Sequence, residues 1–353
     1  MSDDLKEIFQ EPRLLGTPVK RAAYSDRTAW FMSAMSELAY FRFEDVDLVS
    51  ELVEELSGEK KAAVIRNKLN AFFQAAKVGE GDKTDILADI LKSVDFELIN
   101  TYNIGGTQGF LAKRTGRDAP MMVLALRGTE ASFGNIHETV EDVKADLKAS
   151  LVTLEGGAKI HKGFYDAFQL IKDPVEKDIK KHKNIPLYIT GHSLGGALAI
   201  VATRFLGSDS LGACYTFGSP RIGNEILARP IKTPIYRVVN AADGVPRMPP
   251  AMMIYLLIVV TRWFPGTKWL VNFLRKIKGY VHYGDMRFLI HVEAEGQALI
   301  EQIDLLCNPS FFERVMKVFG RLMSTRFKAA AEDHSISLYR TKLCAYALKR
   351  NQE

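Results

Sequence analysis

The stretch "LYITGHSLGGALAI" (187–200) runs from strand-like apolar residues into Gly-x-Ser-x-Gly and out into an alanine-rich segment of helical character. Gly191 and Gly195 stand two positions either side of Ser193, where neither a strand nor a helix interior favours glycine. A sharp strand-to-helix turn explains both. It holds the serine in a strained conformation, exposes its Oγ and leaves no room for side chains two residues away. The turn also aims the N-terminus of the next helix at the reacting centre. A serine hydroxyl needs a base to take its proton and preorganised donors for the oxyanion it creates, so the chain must be searched for both. His192, on the turn itself, points away from Ser193 and reads as a packing residue.

Outward from this turn the chain alternates. Upstream lie "PMMVLALRG" (120–128), a short buried strand, two strands in 96–113 joined at Gly105-Gly106, and amphipathic helices over 27–40 and 62–76. A helix is expected from Gly163 to about His182, strand at Leu187–Thr190, helix at Gly196–Leu206, then strands at Ala213–Phe217 and Ile235–Val239. This order implies parallel pairing with right-handed crossovers, hence an α/β fold with a mostly parallel central sheet covered by helices on both faces.

Composition agrees with one large globular domain over 1–353, with 47% hydrophobic and 10% aromatic residues. Three cysteines without CxxC or Cys/His spacing give no zinc signature and favour a reducing compartment. The opening "MSDDLKEIFQEPRLLG" has no basic region followed by an apolar run, so no secretory signal peptide is visible, leaving a cytoplasmic location or export by another route. The formal net charge of +5 is concentrated: Arg262, Lys268, Arg275, Lys276, Lys278 and Arg287 face one acid, Asp285, and the remainder balances. Apolar interleaving in this segment favours lipid over nucleic acid as its partner.

The chain order for such a serine is Ser, acid, His. Asp243, leaving the strand 235–239 in "IYRVVNAADGVPRMPP", is the better-placed acid; Asp209 in "GSDS" is a second candidate. Three histidines follow Asp243. His291 in "RFLIHVEAE" reads as a strand residue, His282 in "YVHYGDM" as a packing or ligand residue, and His334 in "AEDHSISLYRTKL" opens a helix with Asp333 and Ser335 available as caps. His334 is preferred as base.

Six motifs in register now resemble the class 3 lipases, the fungal triacylglycerol-lipase type of α/β-hydrolase. They are "LALRGTE" (124–130), "IHKGFYDAF" (160–168), "TGHSLGGALA" (190–199), "YTFGSPRIGN" (215–224), "VVNAADGVPRMPP" (238–250) and "EDHSISLY" (332–339). The resemblance implies Ser193 as nucleophile, Asp243 as orienting acid, His334 as general base, and an oxyanion hole from the N–H groups of Thr129 and Leu194. It also implies a lid over 131–142, whose Phe133 and Ile136 face substrate, with no metal or organic cofactor. The implied substrates are acylglycerol esters at a lipid surface. Phospholipase A1 or galactolipase action, and a noncatalytic membrane-surface module, are the rival readings.

The family usually has a short connection where this chain has residues 251–279. These begin with the apolar run "AMMIYLLIVV" and end in "KWLVNFLRKIK", with Trp269, Leu270, Phe273, Leu274 and Ile277 on one helical face. The run is too short, and too soon broken by Arg262 and Pro265, to span a bilayer. A second lid or a docking element for lipid is expected there, an extra helical pair packed on the domain or an oligomer contact being the plainer alternative.

Overall fold

The computed structural model describes residues 7–9, 11–15, 23–41, 83–114, 116, 120–128, 151–182, 184–206, 212–247, 280–292, 294–324 and 332–352. The helix expected at 62–76, Asp209, the lid 131–142 and the insertion 251–279 lie outside them. In chain order the elements are α1 (Asp26–Leu38), α2 (Lys83–Lys92), β1 (Glu97–Ile104), β2 (Thr107–Arg114), β3 (Met121–Leu126), a ribbon of β4 (Leu151–Thr153) and β5 (Lys159–His161), and α3 (Lys162–Lys180). Then come β6 (Leu187–His192), α4 (Leu194–Leu206), β7 (Cys214–Phe217), β8 (Ile235–Asn240), β9 (Asp285–Leu289), β10 (Leu305–Cys307), α5 (Phe311–Ser324) and α6 (Ile336–Gln352), with shorter helical turns between.

Eight strands form one sheet in the order β1-β2-β3-β6-β7-β8-β9-β10. The centre, β3 through β9, is parallel, and antiparallel pairs close each edge. Every residue of β3, β6, β7 and β8 is buried, as strands covered on both faces require. Alternation sorts their side chains. Tyr188, Tyr215 and Tyr236 join the core with α1 and α6, whereas Ile189, Cys214 and Ile235 join the core on the opposite face with α3 and α4. Helix α1 starts where Ser25 Oγ accepts the Thr28 N–H at 3.4 Å, and it buries Trp30, Phe31 and Met35.

Two expectations shift. The helix after the serine begins at Leu194, two residues before Gly196, because the turn needs only Ser193 itself. His291 is not a strand residue: β9 ends at Leu289, where its partners Asn240 on β8 and Leu305 on β10 also run out.

Candidate active site

Strand β6 delivers the chain to Ser193, which has φ of +55° and sits between strand and helix. That left-handed conformation is rare for a residue with a Cβ and is tolerated here because the surroundings fix it. The Ser193 N–H donates to the Phe217 carbonyl at 2.9 Å, and its own carbonyl accepts from Gly196 and Ala197 to start α4. The flanking glycines are sterically required. A Cβ on Gly191 would stand 2.2 Å from the Gly195 carbonyl oxygen, and one on Gly195 would stand 2.3 Å from that of Leu126.

The structure brings together Ser193, Asp243 and His334, from three separate parts of the chain. His334 Nε2 is 2.9 Å from Ser193 Oγ, and its Nδ1 is 2.9 and 3.0 Å from the two carboxylate oxygens of Asp243. All three side chains are buried. Asp243 Oδ1 accepts the Val245 N–H at 2.9 Å, and Oδ2 accepts the Tyr339 hydroxyl at 2.6 Å. Burial and the adjacent Asp243 both push the Tyr339 phenol well above its ordinary range, so it stays protonated and donates. A carboxylate so held fixes the proton of His334 on Nδ1 and leaves the Nε2 lone pair facing Ser193.

The histidine arrives on a segment pinned from several sides. Asp333, expected to cap the last helix, instead accepts the Ala242 N–H through its carboxylate at 2.9 Å, while its carbonyl accepts from Asn240 Nδ2 at 3.0 Å. Asn240 in turn gives its N–H to the Tyr339 hydroxyl at 2.9 Å and takes Lys342 Nζ at 2.6 Å. The end of β8 thereby positions both Asp243 and His334. Ser335 provides the first carbonyl of α6, accepting the Tyr339 N–H at 3.1 Å.

His192 does more than pack. Its Nε2 donates to the His334 carbonyl at 2.6 Å, its Nδ1 accepts the Tyr40 hydroxyl at 2.9 Å, and its ring lies 4.5 Å from that of His334. Burial, with His334 as neighbour, pushes its pKa well below the ordinary histidine value, so it is neutral. Sequence reasoning missed this support, as it missed Tyr339 and Gly218. The only signals were that His192 neighbours the serine and that Tyr339 follows His334 by a helical turn and a residue.

Of the implied oxyanion donors, Leu194 occupies the first position of α4, where a helix leaves the N–H without an intrahelical acceptor. Thr129 lies outside the described residues, as do Phe133 and Ile136. Gly128, one residue before Thr129, packs against the serine turn so closely that a Cβ there would meet the His192 carbonyl at 2.8 Å. His282 is not part of the triad; its Nε2 donates to the Pro246 carbonyl at 2.6 Å.

A family model described as lipase (class 3) matches residues 123–253, a range that holds Ser193 and Asp243 and stops short of His334. The secreted mono- and diacylglycerol lipase 1 of Fusarium solani is 34% identical over 121 residues, 32% of this chain and 36% of that protein. A triacylglycerol lipase of Nicotiana tabacum is 37% identical over 135 residues, 34% of this chain and 23% of that protein. The chain thus spans less than half the length of these curated relatives. Among solved structures, a mutant form of MDLA from Penicillium cyclopium superposes with a TM-score of 0.51 at 19% identity, covering 90% of this chain and 96% of that one. That likeness carries the fold beyond the stretch that the family model matches. Residues 123–253 are thus similar to the class 3 lipases, and with its serine turn and sheet order in place the chain has the α/β-hydrolase fold.

Proposed function

We propose that this protein is a serine carboxylic-ester hydrolase, a triacylglycerol lipase acting through an acyl-enzyme. The observation that carries the reading is the unbroken buried relay from Ser193 Oγ through His334 to Asp243. As Ser193 attacks the ester carbonyl, His334 Nε2 takes its proton and the imidazolium is stabilised by Asp243. The carbonyl oxygen gains charge against the Leu194 N–H, with Thr129 as its partner donor. His334 then gives the proton to the departing alkoxide, and the ester carbon remains on Ser193. Water, deprotonated by the same nitrogen, releases the carboxylic acid and restores the serine.

Work at a lipid surface is supported by α5. Phe311, Phe312 and Met316 are 53%, 70% and 64% exposed on this helix, with Arg314 and Lys317 interspersed. Apolar residues turned to solvent beside cations suit an interface between acyl chains and headgroups. The insertion 251–279 would extend such a surface.

A phosphonate ester carrying a chromogenic leaving group tests the chemistry: one equivalent is expected to be released per chain, with the adduct on Ser193 by mass spectrometry. Absence of labelling in a folded protein would overturn the reading. Initial rates on glycerides of rising chain length, below and above the aggregation threshold, test the interface: a rise above threshold is expected, and a smooth saturation curve through it counts against lipase action.

A further inference from the structure

On the α3/α4 side of the sheet, β8 carries a second buried charge that the ester chemistry does not use. Arg237 is 7% exposed, and its Nε and Nη1 are buried with no hydrogen-bond partner. In register it sits between Thr216 on β7 and Met286 on β9, so all three side chains share one face. Thr216 Oγ1 is likewise buried and without a partner. From outside, Arg314 on α5 reaches over Met286, its Nη1 3.9 Å from the sulfur. Arg221, anchored through Nη1 to the Arg247 carbonyl at 2.8 Å, lies close enough that it and Arg314 both disfavour the charge on Arg237. Burial first, then these neighbours, push Arg237 down to about 10. The guanidinium nonetheless stays charged at neutral pH.

Among the described residues no carboxylate is hydrogen-bonded to the group. Asp285, the acid that favours Arg237, is exposed and adjoins Met286 in β9, so alternation turns it to the other face. No Asp or Glu occurs in the sequence between Asp243 and Asp285. His282 adds a complementary feature. With its Nε2–H donated to Pro246, its buried Nδ1 holds a lone pair without a partner.

The geometry points to a phosphoryl-binding site with Arg237 as its floor, Thr216 and His282 as its walls and Arg221 and Arg314 as its rim. A carboxylate offers two oxygens, too few for this set. A phosphate monoester or diester offers more oxygens for the guanidinium fork and the threonine hydroxyl, and a P–OH or headgroup hydroxyl for the His282 lone pair. The phosphoryl group has two sources, a phospholipid headgroup or a soluble phosphate, and α5, whose Arg314 lies on the rim while Phe312 faces solvent, makes the first worth a separate arm.

The experiment is thermal unfolding of the full chain in sodium phosphate against sodium chloride at matched ionic strength, with Arg237→Met alongside. Phosphate is expected to raise the wild-type Tm by about 2 °C or more and to leave Arg237→Met unmoved. In chloride, Arg237→Met is expected to melt no lower than wild type, because a buried unpaired cation has been replaced by an apolar chain of similar length. In parallel, vesicles of phosphatidylcholine with and without about one-fifth phosphatidic acid are sedimented with both proteins, binding that needs Arg237 and phosphatidic acid being at least about fivefold weaker in the variant. Stabilisation by free phosphate without vesicle dependence assigns a soluble ligand; the reverse assigns a headgroup. No phosphate shift together with Arg237-independent vesicle binding overturns the site, as does an equal shift in both proteins, the result expected if a carboxylate of this chain fills it. Should Arg237→Met fail to fold, Arg237→Lys keeps the charge but loses the fork, and an unchanged phosphate shift there and in Arg314→Gln overturns the site equally. None of these readouts involves ester hydrolysis, so the outcome is separate from that of the proposed activity.

Discussion

Strand β8 presents two buried ionic groups within a few residues of each other, and they are finished in opposite ways. At its C-terminal end Asp243 receives a main-chain N–H, a phenol and an imidazole, and each of those partners is itself held. In its middle Arg237 is also buried, yet two of its nitrogens meet no acceptor. A buried ion costs several kcal/mol unless it is paired and hydrogen-bonded. The first group is completed by the chain alone; the second is completed from outside. A completed group sets the geometry of a reaction, and an incomplete one marks where something arrives.

Substitutions at the completed cluster should separate its roles by size. Ser193→Ala is expected to lower kcat on a soluble short-chain ester by roughly five orders of magnitude and to abolish phosphonate labelling, with residual rate from binding and oxyanion donors alone. Asp243→Asn is expected to cost about 10⁴ in kcat with little change in KM, since the amide would leave His334 in the wrong tautomer. Equal rates for Asp243→Asn and wild type would remove Asp243 from the relay. Gly218→Ala probes packing: Gly218 has φ of +60°, and a Cβ there would stand 2.7 Å from Asp243 Oδ2 and 2.9 Å from His334. Displacement of both side chains is expected to cost on the order of 10²-fold in kcat, read beside a far-UV spectrum that stays native.

Smaller effects belong to the supporting shell. Tyr339→Phe removes a donor to Asp243 and an acceptor for the Asn240 N–H, for an expected loss of about 2–3 kcal/mol in denaturant unfolding. If that variant lost neither stability nor activity, the hydroxyl would be incidental to the acid's position. His192 makes a pH prediction. Its folded pKa lies below the unfolded value of about 6.5, so the unfolded chain takes the proton first. Its stabilisation is therefore full above that pH and declines as pH falls below it, by at most about 1.4 kcal/mol per unit. Replacing it in His192→Gln should flatten the stability profile below pH 6.5 by up to one proton's slope. An unchanged slope would mean that His192 does not titrate on unfolding.

The centre of the fold was legible because β3 and β6 are short apolar runs, and burial on both faces suits "MMVLAL" and "LYIT" to the middle of a parallel sheet. The serine turn was legible because Gly191 and Gly195 answer to backbone contacts that only a tight turn creates. Asp243 and His334 were legible by order and by resemblance. Their ranking over Asp209 and His282 came from position after a strand and before a helix, and the contacts of Asp243 and His334 agree with it. His192 and Tyr339 stayed hidden because a supporting residue is defined by which atom it faces. The unpartnered Arg237 left no trace in "IYRVVN" either, where one arginine among apolar residues looks like a surface residue of an edge strand. Helix α5 escaped for a different reason: Phe311, Phe312 and Met316 point to solvent, so the usual inference from pattern to core would have turned them inward.

The contact between Ser193 and His334 joins residues 141 positions apart, and it is made by a segment held to β8 through Asp333, Tyr339 and Lys342. Closing so long a loop is slow compared with forming the serine turn, whose partners Leu126 and Phe217 are nearer in sequence. During refolding, the elbow and its sheet can therefore exist before the base has docked. In kinetic terms the proposed hydrolysis would report the docking of His334 onto the elbow, and it should lag behind the return of secondary structure.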